Sequence, residues 1–491
     1  MMQNEKVAPM KQVVLYAIIN YMGTAIGILS TLFIYPNDLI FYGTIRYIDN
    51  IWQLLYPVMV LGASQALIKF YPALQEEHRK QLFNYSLASV TLVSVLVFAG
   101  IMIFDNVSHY KDSTLLYFAF PIAVCVAFIE IFKKQSQDLQ KIAVPTLYEK
   151  IFPKIALPII FLLLLRNILT EDASLSWYAV SYGVIFVLTA VYLFKRFNPG
   201  FNYRFKTLFG TISRKEYFRY SLYSFAGSLG SLLAFRIDGI IIFNMISEEA
   251  NGVFSTAVNL ASTLQIPAIG MFALYAPIIS TYLKNENFKD LHIKYKEIAR
   301  LLFFIGAVLC SCIFLGIEDL FRILPAYEKL KDTIPIIIVL GFSVLINMAT
   351  GFNGEIITYS KYYRFNLIAI LVLIFLNVSL NLYFIYYTDT GIMGVAYASF
   401  VSMTLFNISK LLFIYKKFGL LPFDKSFGKL ALIFIVSGTA IYFLPDLESH
   451  IINLIYKTGL SILINVVAVY KLRLVYQVNV WADMALAKIK R

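Results

Sequence analysis

Charge is scarce in this 491-residue chain: Asp, Glu, Lys and Arg make up 14% of it, against 59% hydrophobic residues and a mean hydropathy of +0.72. That balance excludes an ordinary soluble globular protein and points to a polytopic membrane protein. Cysteine is rarer still. Cys125, Cys310 and Cys312 all fall inside apolar runs, which excludes a disulfide framework. The four histidines, His78, His109, His292 and His450, sit in loops or at the ends of apolar runs without metal-ligand spacing. No Gly-x-x-x-x-Gly-Lys-Ser/Thr is present, which excludes nucleotide hydrolysis by that motif, and no cofactor or metal is expected. No loop between apolar runs exceeds about 25 residues, too little for the outer domain that a membrane polymerase or ligase needs. These absences favour transport over catalysis. The first 12 residues are polar and basic, and the first apolar run is too long for a signal peptide, so no cleavage is expected.

What the chain does have is hydrophobic length. A membrane-spanning helix needs about 20 mostly apolar residues. By that rule the sequence predicts fourteen spans, near 13–35, 44–70, 82–104, 114–132, 147–165, 175–194, 218–243, 251–283, 299–317, 334–358, 365–387, 391–415, 429–444 and 450–470. The 251–283 and 334–358 segments are long and rich in Gly or Pro, so tilt or kinking is expected there.

The net charge of +13 would suggest nucleic acid in a soluble protein, but its distribution gives a different reading. With the N-terminus inside, 30 of the 42 Lys and Arg fall in inner loops and termini, five in outer loops and seven within spans. That asymmetry follows the positive-inside rule and places both termini in the cytoplasm, with no nucleic-acid partner.

The stretch 221–283 has an earlier echo at 15–72. Leu15-Tyr16 matches Leu222-Tyr223, and Gly23, Gly43, Pro57 and Gly62 match Gly230, Gly252, Pro267 and Gly270, at offsets between 207 and 210. Six spans precede the second copy, so the two halves are parallel repeats. The expected organisation is an N-terminal six-helix lobe at 1–200, a basic cytoplasmic linker at 201–217, a second six-helix lobe at 218–418, and two added helices with a tail at 419–491. The apolar and basic residues of that tail suit either a helix on the inner leaflet or an unstructured end.

Charges inside membrane spans are costly and mark candidate function. On the second span Arg46, Asp49, Asn50 and Gln53 lie at i, i+3, i+4 and i+7, one helical face. Either that face lines a cavity, or Arg46 and Asp49 form a snorkelling pair near the interface. On the seventh span Ser224, Ser228, Ser231 and Asp238 share a face, with Arg236 on the opposite side of a straight helix. A substrate contact and a neutralised structural pair are both open there. On the tenth span Asn347, Gly351, Gly354 and Glu355 form a thin polar face ending in a carboxylate, suited to proton or cation coupling or to hydrogen bonding within the bundle. Lys150 and Lys154 align at i, i+4 beside Glu149, placed either to attract a phosphate or as solvated residues at the inner edge. Lys457 stands isolated in the last span. Four intramembrane cations, Arg46, Lys150, Lys154 and Arg236, suit an anionic ligand such as a lipid-linked diphosphate.

Two passages carry a family likeness: YAIINYMGTAIGILSTLFIYP with the later LGASQALIKFYP, and FRIDGIIIFNMISEEANGVFSTAVNL. With fourteen spans in two parallel repeats, the chain resembles the multidrug/oligosaccharidyl-lipid/polysaccharide (MOP) exporter superfamily, in particular its polysaccharide branch of O-antigen flippase type. The resemblance implies an all-α, MATE-like V-shaped pair of bundles in the bacterial inner membrane, with a cavity open alternately to either side. It implies transfer of an undecaprenyl-diphosphate-linked oligosaccharide between leaflets, among membrane lipids and alongside a polysaccharide polymerase and glycosyltransferases. It makes Arg46 and Arg236 the first substrate contacts, with Asp49, Asp238 and Glu355 as partners or ion-coupling sites. With the polar and basic residues read above, the candidate substrate-binding set is Arg46, Asp49, Asn50, Lys150, Lys154, Arg236 and Asp238, and Glu355 is the candidate for coupling to a proton or sodium gradient. A lipid II flippase and a cation-coupled multidrug antiporter are the alternatives within the same superfamily.

Overall fold

The computed structural model describes residues 10–108, 111–139 and 141–489, and every element in them is helical. Lys6, His109, Lys490 and Arg491 lie outside the described residues, as do the side chains of Lys11, Leu15, Tyr16, Ser231, Leu486 and Lys488. Two compact units divide the chain, Met1–Phe243 and Asn244–Arg491.

The first unit contains α1 (Met10–Phe33), α2 (Leu39–Val60), α3 (Ala63–Phe70), α4 (Glu76–Ser108), α5 (Ser113–Asp138), α6 (Ala143–Leu165), α7 (Glu171–Phe194), α8 (Phe205–Thr211) and all but the end of α9 (Arg214–Met245). Helix α1 packs on α6, α2 on α4 and α5, and α7 on α5 and α6. The second unit contains α10 (Glu248–Thr263), α11 (Ile266–Lys284), α12 (Phe288–Ile323), α13 (Tyr327–Leu330), α14 (Ile334–Ala349), α15 (Asn353–Tyr359), α16 (Arg364–Tyr387), α17 (Ile392–Phe418), α18 (Lys425–Tyr442), α19 (His450–Lys471) and α20 (Tyr476–Ile489). Here α12 packs on α14 and α19, and α17 on α14 and α16.

Each of the fourteen predicted segments coincides with one helix or a helix pair. Nine helices among the described residues are long and apolar enough to cross a membrane, or ten if the bent pair α2–α3 is one span. Helix α6 is not among the nine, because Glu149, Lys150 and Lys154 interrupt its apolar run.

The surface shows which solvent the fold expects. Leu92, Ile103, Phe375, Ile435 and Ile455 are all more than 60% exposed, while Asn251, Asn381, Ser402, Asn407 and Asn465 are buried to 1% or less. In lipid an exposed Leu costs nothing, and polar side chains turn inward to find partners. Ser437 donates to the Asn465 amide oxygen at 2.9 Å, tying α18 to α19. Such interhelical bonds contribute roughly 0.6 kcal/mol on average in a bilayer.

Three predicted spans are broken. The 44–70 segment, read as one span, bends by 47° between α2 and α3. Leu61 and Gly62 both adopt left-handed backbone there, with φ of 46° and 76°. A Cβ on Gly62 would sit 2.0 Å from the Ser221 carbonyl oxygen of α9, so only glycine lets the two backbones approach. The 251–283 segment breaks between α10 and α11 just before Pro267, and the 334–358 segment breaks at Gly351 (φ +62°). The second span of each repeat copy is therefore a broken one.

Candidate functional site

Helix α2 starts where the Asp38 side chain accepts a hydrogen bond from Phe41 N at 3.0 Å, and this cap sets the phase of the residues that follow. Phe41, Tyr42, Ile45 and Ile48 pack into a core with Phe161 of α6 and Tyr178, Tyr182 and Ile185 of α7. The polar face predicted beside them is Arg46, Asp49, Asn50 and Gln53. Asp49 and Asn50 are buried, and Arg46 and Gln53 half-buried.

Asp49 accepts three side-chain hydrogen bonds. Its Oδ2 accepts from Arg46 Nη1 at 2.9 Å. Its Oδ1 accepts from Trp52 Nε1 at 2.9 Å and from the Tyr178 hydroxyl at 2.7 Å. Gln53 closes the turn by donating to the Asp49 carbonyl at 2.9 Å. The Tyr178 and Tyr182 hydroxyls are 3.3 Å apart, which extends the network into α7. Removing one partner from such a buried pair costs about 3–5 kcal/mol.

The guanidiniums are less well provided for. Arg46 has five N–H donors and commits one to Asp49; its buried Nε has no partner. Arg236 projects from α9 to within electrostatic reach of Arg46, Asp49 and Tyr56. It makes no ion pair among the described residues, and its Nε is likewise buried without a partner. Helix α9 runs unbroken through Gly239, so Arg236 and Asp238 leave it in different directions, as their spacing predicts. Asp238 is buried and has a polar or electrostatic contact of its own. The result around Asp49 is two arginines beside one carboxylate that accepts three hydrogen bonds, with a buried Nε–H left over on each guanidinium.

The lysines of α6 divide. Glu149 pairs with Lys133 of α5 at 2.6 Å and, more loosely, with Lys150 at 3.9 Å, and Lys133 also reaches Glu130 at 3.2 Å. Lys150 is thus an exposed member of a charge cluster. Lys154, expected at the inner edge, is eleven residues from either end of α6, at its middle. It makes no ion pair among the described residues. A lysine at mid-bilayer depth costs roughly 2.5–3.5 kcal/mol by insertion scales unless compensated.

In the second unit the predicted face Asn347–Gly351–Gly354–Glu355 does not continue, because the chain leaves helical geometry at Gly351. A different network forms. Asn353 donates to Thr350 Oγ1 at 2.9 Å and to Asn407 Oδ1 at 3.0 Å, and the Tyr295 hydroxyl donates to the Thr350 carbonyl at 3.0 Å. Glu355 is half-buried in the first turn of α15, where the helix dipole favours an anion. It lies within electrostatic reach of Lys410. Lys410 is buried on α17 with its ammonium 3.9 Å from the Phe406 ring centroid. Lys457 is not isolated: it is buried in α19 and hydrogen-bonded to Asp446.

Trp52, Tyr178 and Lys410 were missed by the sequence reading. Trp52 lies at i+3 from Asp49 and was findable by helical spacing, whereas Tyr178 is 129 residues away.

Residues 38–283, just over half of the chain, match the family of polysaccharide biosynthesis proteins. The chain belongs to that family. In this polysaccharide biosynthesis protein the matched region takes in Arg46, Asp49, Asn50, Lys150, Lys154, Arg236 and Asp238, and ends before Glu355. It is 28% identical over 113 residues to the uncharacterized membrane protein EpsK of Bacillus subtilis (strain 168); that match spans 23% of this chain and only 22% of EpsK. Its fold is similar to that of the lipid II flippase MurJ in an inward closed conformation, at 14% identity and a TM-score of 0.70 over 94% of this chain and 98% of that one. It is also similar to an inward-facing multidrug resistance MATE family transporter of the MOP superfamily, at 15% identity and a TM-score of 0.63 over 83% and 98%. The polysaccharide biosynthesis protein is thus a multi-pass, all-α, MATE-like membrane protein.

Proposed function

We propose that this polysaccharide biosynthesis protein is a flippase for an undecaprenyl-diphosphate-linked oligosaccharide, moved from the inner to the outer leaflet of the bacterial inner membrane by alternating access. The observation that carries the reading is the charge imbalance around Asp49. A diphosphate offers two adjacent anionic phosphates rich in acceptor oxygens. Guanidinium groups match phosphate geometry with paired N–H donors and are the residues of choice where the ligand must leave water. Arg46 and Arg236 each hold a buried N–H with no protein acceptor, while Asp49 already accepts from Arg46, Trp52 and Tyr178. Asp49 then acts as a positioning residue: through Arg46 it fixes one guanidinium without neutralising both.

Transport requires a bound state that can also be left. The affinity of the site for the diphosphate must differ between inward- and outward-open states, or no net movement follows. Glu355, with Lys410 beside it, is the proposed point at which a proton or sodium gradient biases that equilibrium. The charge asymmetry of the loops supports a cytoplasmic position for both termini, and a polymerase and glycosyltransferases are the expected neighbours on the pathway.

A lipid II flippase is the second reading. It is favoured by the likeness to MurJ, which takes in 94% of this chain against 83% for the multidrug transporter. Both readings share an undecaprenyl diphosphate and differ in its sugars.

The test is translocation of a labelled polyprenyl-diphosphate oligosaccharide in proteoliposomes, wild type beside Arg236→Ala. Transport by the wild type and loss in the folded variant is the expected result. Export of a cationic dye under an ion gradient, without lipid transport, overturns it in favour of an antiporter.

A further inference from the structure

The linker from α7 to α9 combines cations with exposed aromatic rings. Between 195 and 219 it carries seven Lys or Arg against one acid, Glu216, and that acid pairs with Lys69 of α3 at 3.2 Å. The linker is firmly folded onto α4. Gly200 turns the chain with φ +62°, and Asn84 donates to the carbonyls of Gly200 at 3.0 Å and Asn202 at 3.2 Å. Thr207 donates to the Gln81 amide oxygen at 3.2 Å. Leu208 and Ile212 are buried in the core that holds Leu82 and Phe83 of α4. The rings of Tyr203, Phe205, Tyr85, Phe209 and Phe218 follow one another at 5.1–6.4 Å between centroids, so both ends of the linker belong to one surface.

The outer side of that surface finds no counterpart in the chain. Phe201 is 94% exposed, and Tyr203 and Phe218 are more than half exposed. Lys195, Arg204, Lys206, Lys215 and Arg219 are exposed and make no ion pair among the described residues. The acids of the adjoining first turn of α4 are already engaged. Glu76 pairs with Lys80 at 2.8 Å, and Glu77 accepts from Asn202 at 3.2 Å.

Connectivity fixes where the surface lies. Helix α7 is long and apolar enough to cross a membrane and ends at Phe194, so the linker starts where that span leaves the hydrocarbon. Helix α4 has 33 residues, about 50 Å at 1.5 Å per residue, against a hydrocarbon core of about 30 Å. The linker packs on the first turns of α4, from Glu77 to Tyr85, where its charged residues lie. Those turns are the part of α4 that projects beyond the core.

We propose that the 195–219 linker is a docking surface for the headgroups of anionic phospholipids in the adjacent leaflet. The free cations meet the lipid phosphates, and Phe201, Tyr203 and Phe218 rest at headgroup level, where aromatic rings are favoured. Charge complementarity selects the occupant, and the rings favour a lipid surface over a wholly polar partner. Each cation near an anionic leaflet strengthens the contact roughly fivefold. The proposal holds whatever cargo the protein carries.

The test uses the full chain in nanodiscs of mixed phosphatidylcholine and phosphatidylglycerol, with a photoactivatable headgroup probe of one lipid or the other. Cross-links to 195–219 are counted against those to 166–170, the loop at the opposite end of α7. The phosphatidylglycerol probe should label the linker at least roughly fivefold more than the phosphatidylcholine probe, an excess that shrinks as salt is raised. Arg204→Gln with Lys206→Gln should cut the excess severalfold, and Arg204→Lys with Lys206→Arg should keep it, both pairs eluting as the wild type does. Where the Gln pair fails to elute so, the salt series on the wild type decides. Equal labelling by the two probes, or an excess indifferent to salt or to the Gln pair, overturns the proposal. Labelling by neither lipid, with the linker open to added trypsin, also overturns it and leaves the surface to an acidic protein.

Discussion

The two units hold their intramembrane charge in opposite ways. In the first, two arginines lie beside Asp49, whose carboxylate accepts from Arg46, Trp52 and Tyr178. In the second, one carboxylate, Glu355, faces one lysine, Lys410, beside a network in which Thr350, Asn353 and Asn407 satisfy each other. A balanced set needs nothing from outside. An unbalanced one, with N–H groups left over, retains an affinity for anions. The useful quantity in a membrane helix is therefore the local sum of charge and unmet donors, rather than the presence of a charge.

That difference can be broken by substitution. The largest effect is expected from Asp49→Asn, which leaves two guanidiniums with no counter-charge and should destabilise the protein by about 3 kcal/mol. Thermal unfolding in detergent checks it; an unchanged midpoint would mean that the pair carries no load. Arg236→Gln should do the reverse. It removes an uncompensated charge, so stability should hold or rise, while transport falls roughly 10- to 100-fold, the loss of a charge-assisted phosphate contact of about 1.5–3 kcal/mol. A parallel fall in stability and transport would reassign Arg236 to structure.

Lys410→Met should cost less, about 1–2 kcal/mol, because Glu355 is only half-buried and can take up a proton when its partner is lost. Glu355→Gln added to it should recover most of that, the signature of a coupled pair in a double-mutant cycle. Additive losses would show that the two residues act apart.

The smallest effect concerns Asp446, between α18 and α19. Hydrogen bonding to Lys457, then to Asn453, holds its carboxyl below the usual carboxylate range. A depressed folded value means that the contribution is present above the unfolded value, near 4, and is lost as pH falls through the folded one. The site is largely open to solvent, so no more than about 1 kcal/mol is at stake. Asp446→Asn should lower the unfolding midpoint slightly at pH 6 and not at pH 3; an equal effect at both would rule out ionisation as the cause.

Much of the fold was legible in the sequence because lipid imposes one simple rule, a run of about 20 apolar residues per span. The breaks were harder. Pro267 and Gly351 mark two of them by residue type, but Gly62 is explained only by the Ser221 carbonyl of α9, which no local pattern reveals. The site was legible as far as one helix reaches. The spacing of Arg46, Asp49 and Gln53 gave their shared face. The phenol of Tyr178, supplied by another helix, gives Asp49 its third hydrogen bond, and only packing could show it. Lys457 looked like a stray cation and Lys410 was missed, because their partners lie on other segments.

The most direct measurement is the binding of a fluorescent polyprenyl diphosphate to the full chain in nanodiscs, for wild type, Arg236→Gln and Lys410→Met. Affinity should fall roughly 10- to 100-fold for Arg236→Gln and hold within about twofold for Lys410→Met. Equal affinity in all three, or a larger loss at Lys410, would contradict the claim that the unbalanced arginine cluster of the first unit is the diphosphate site.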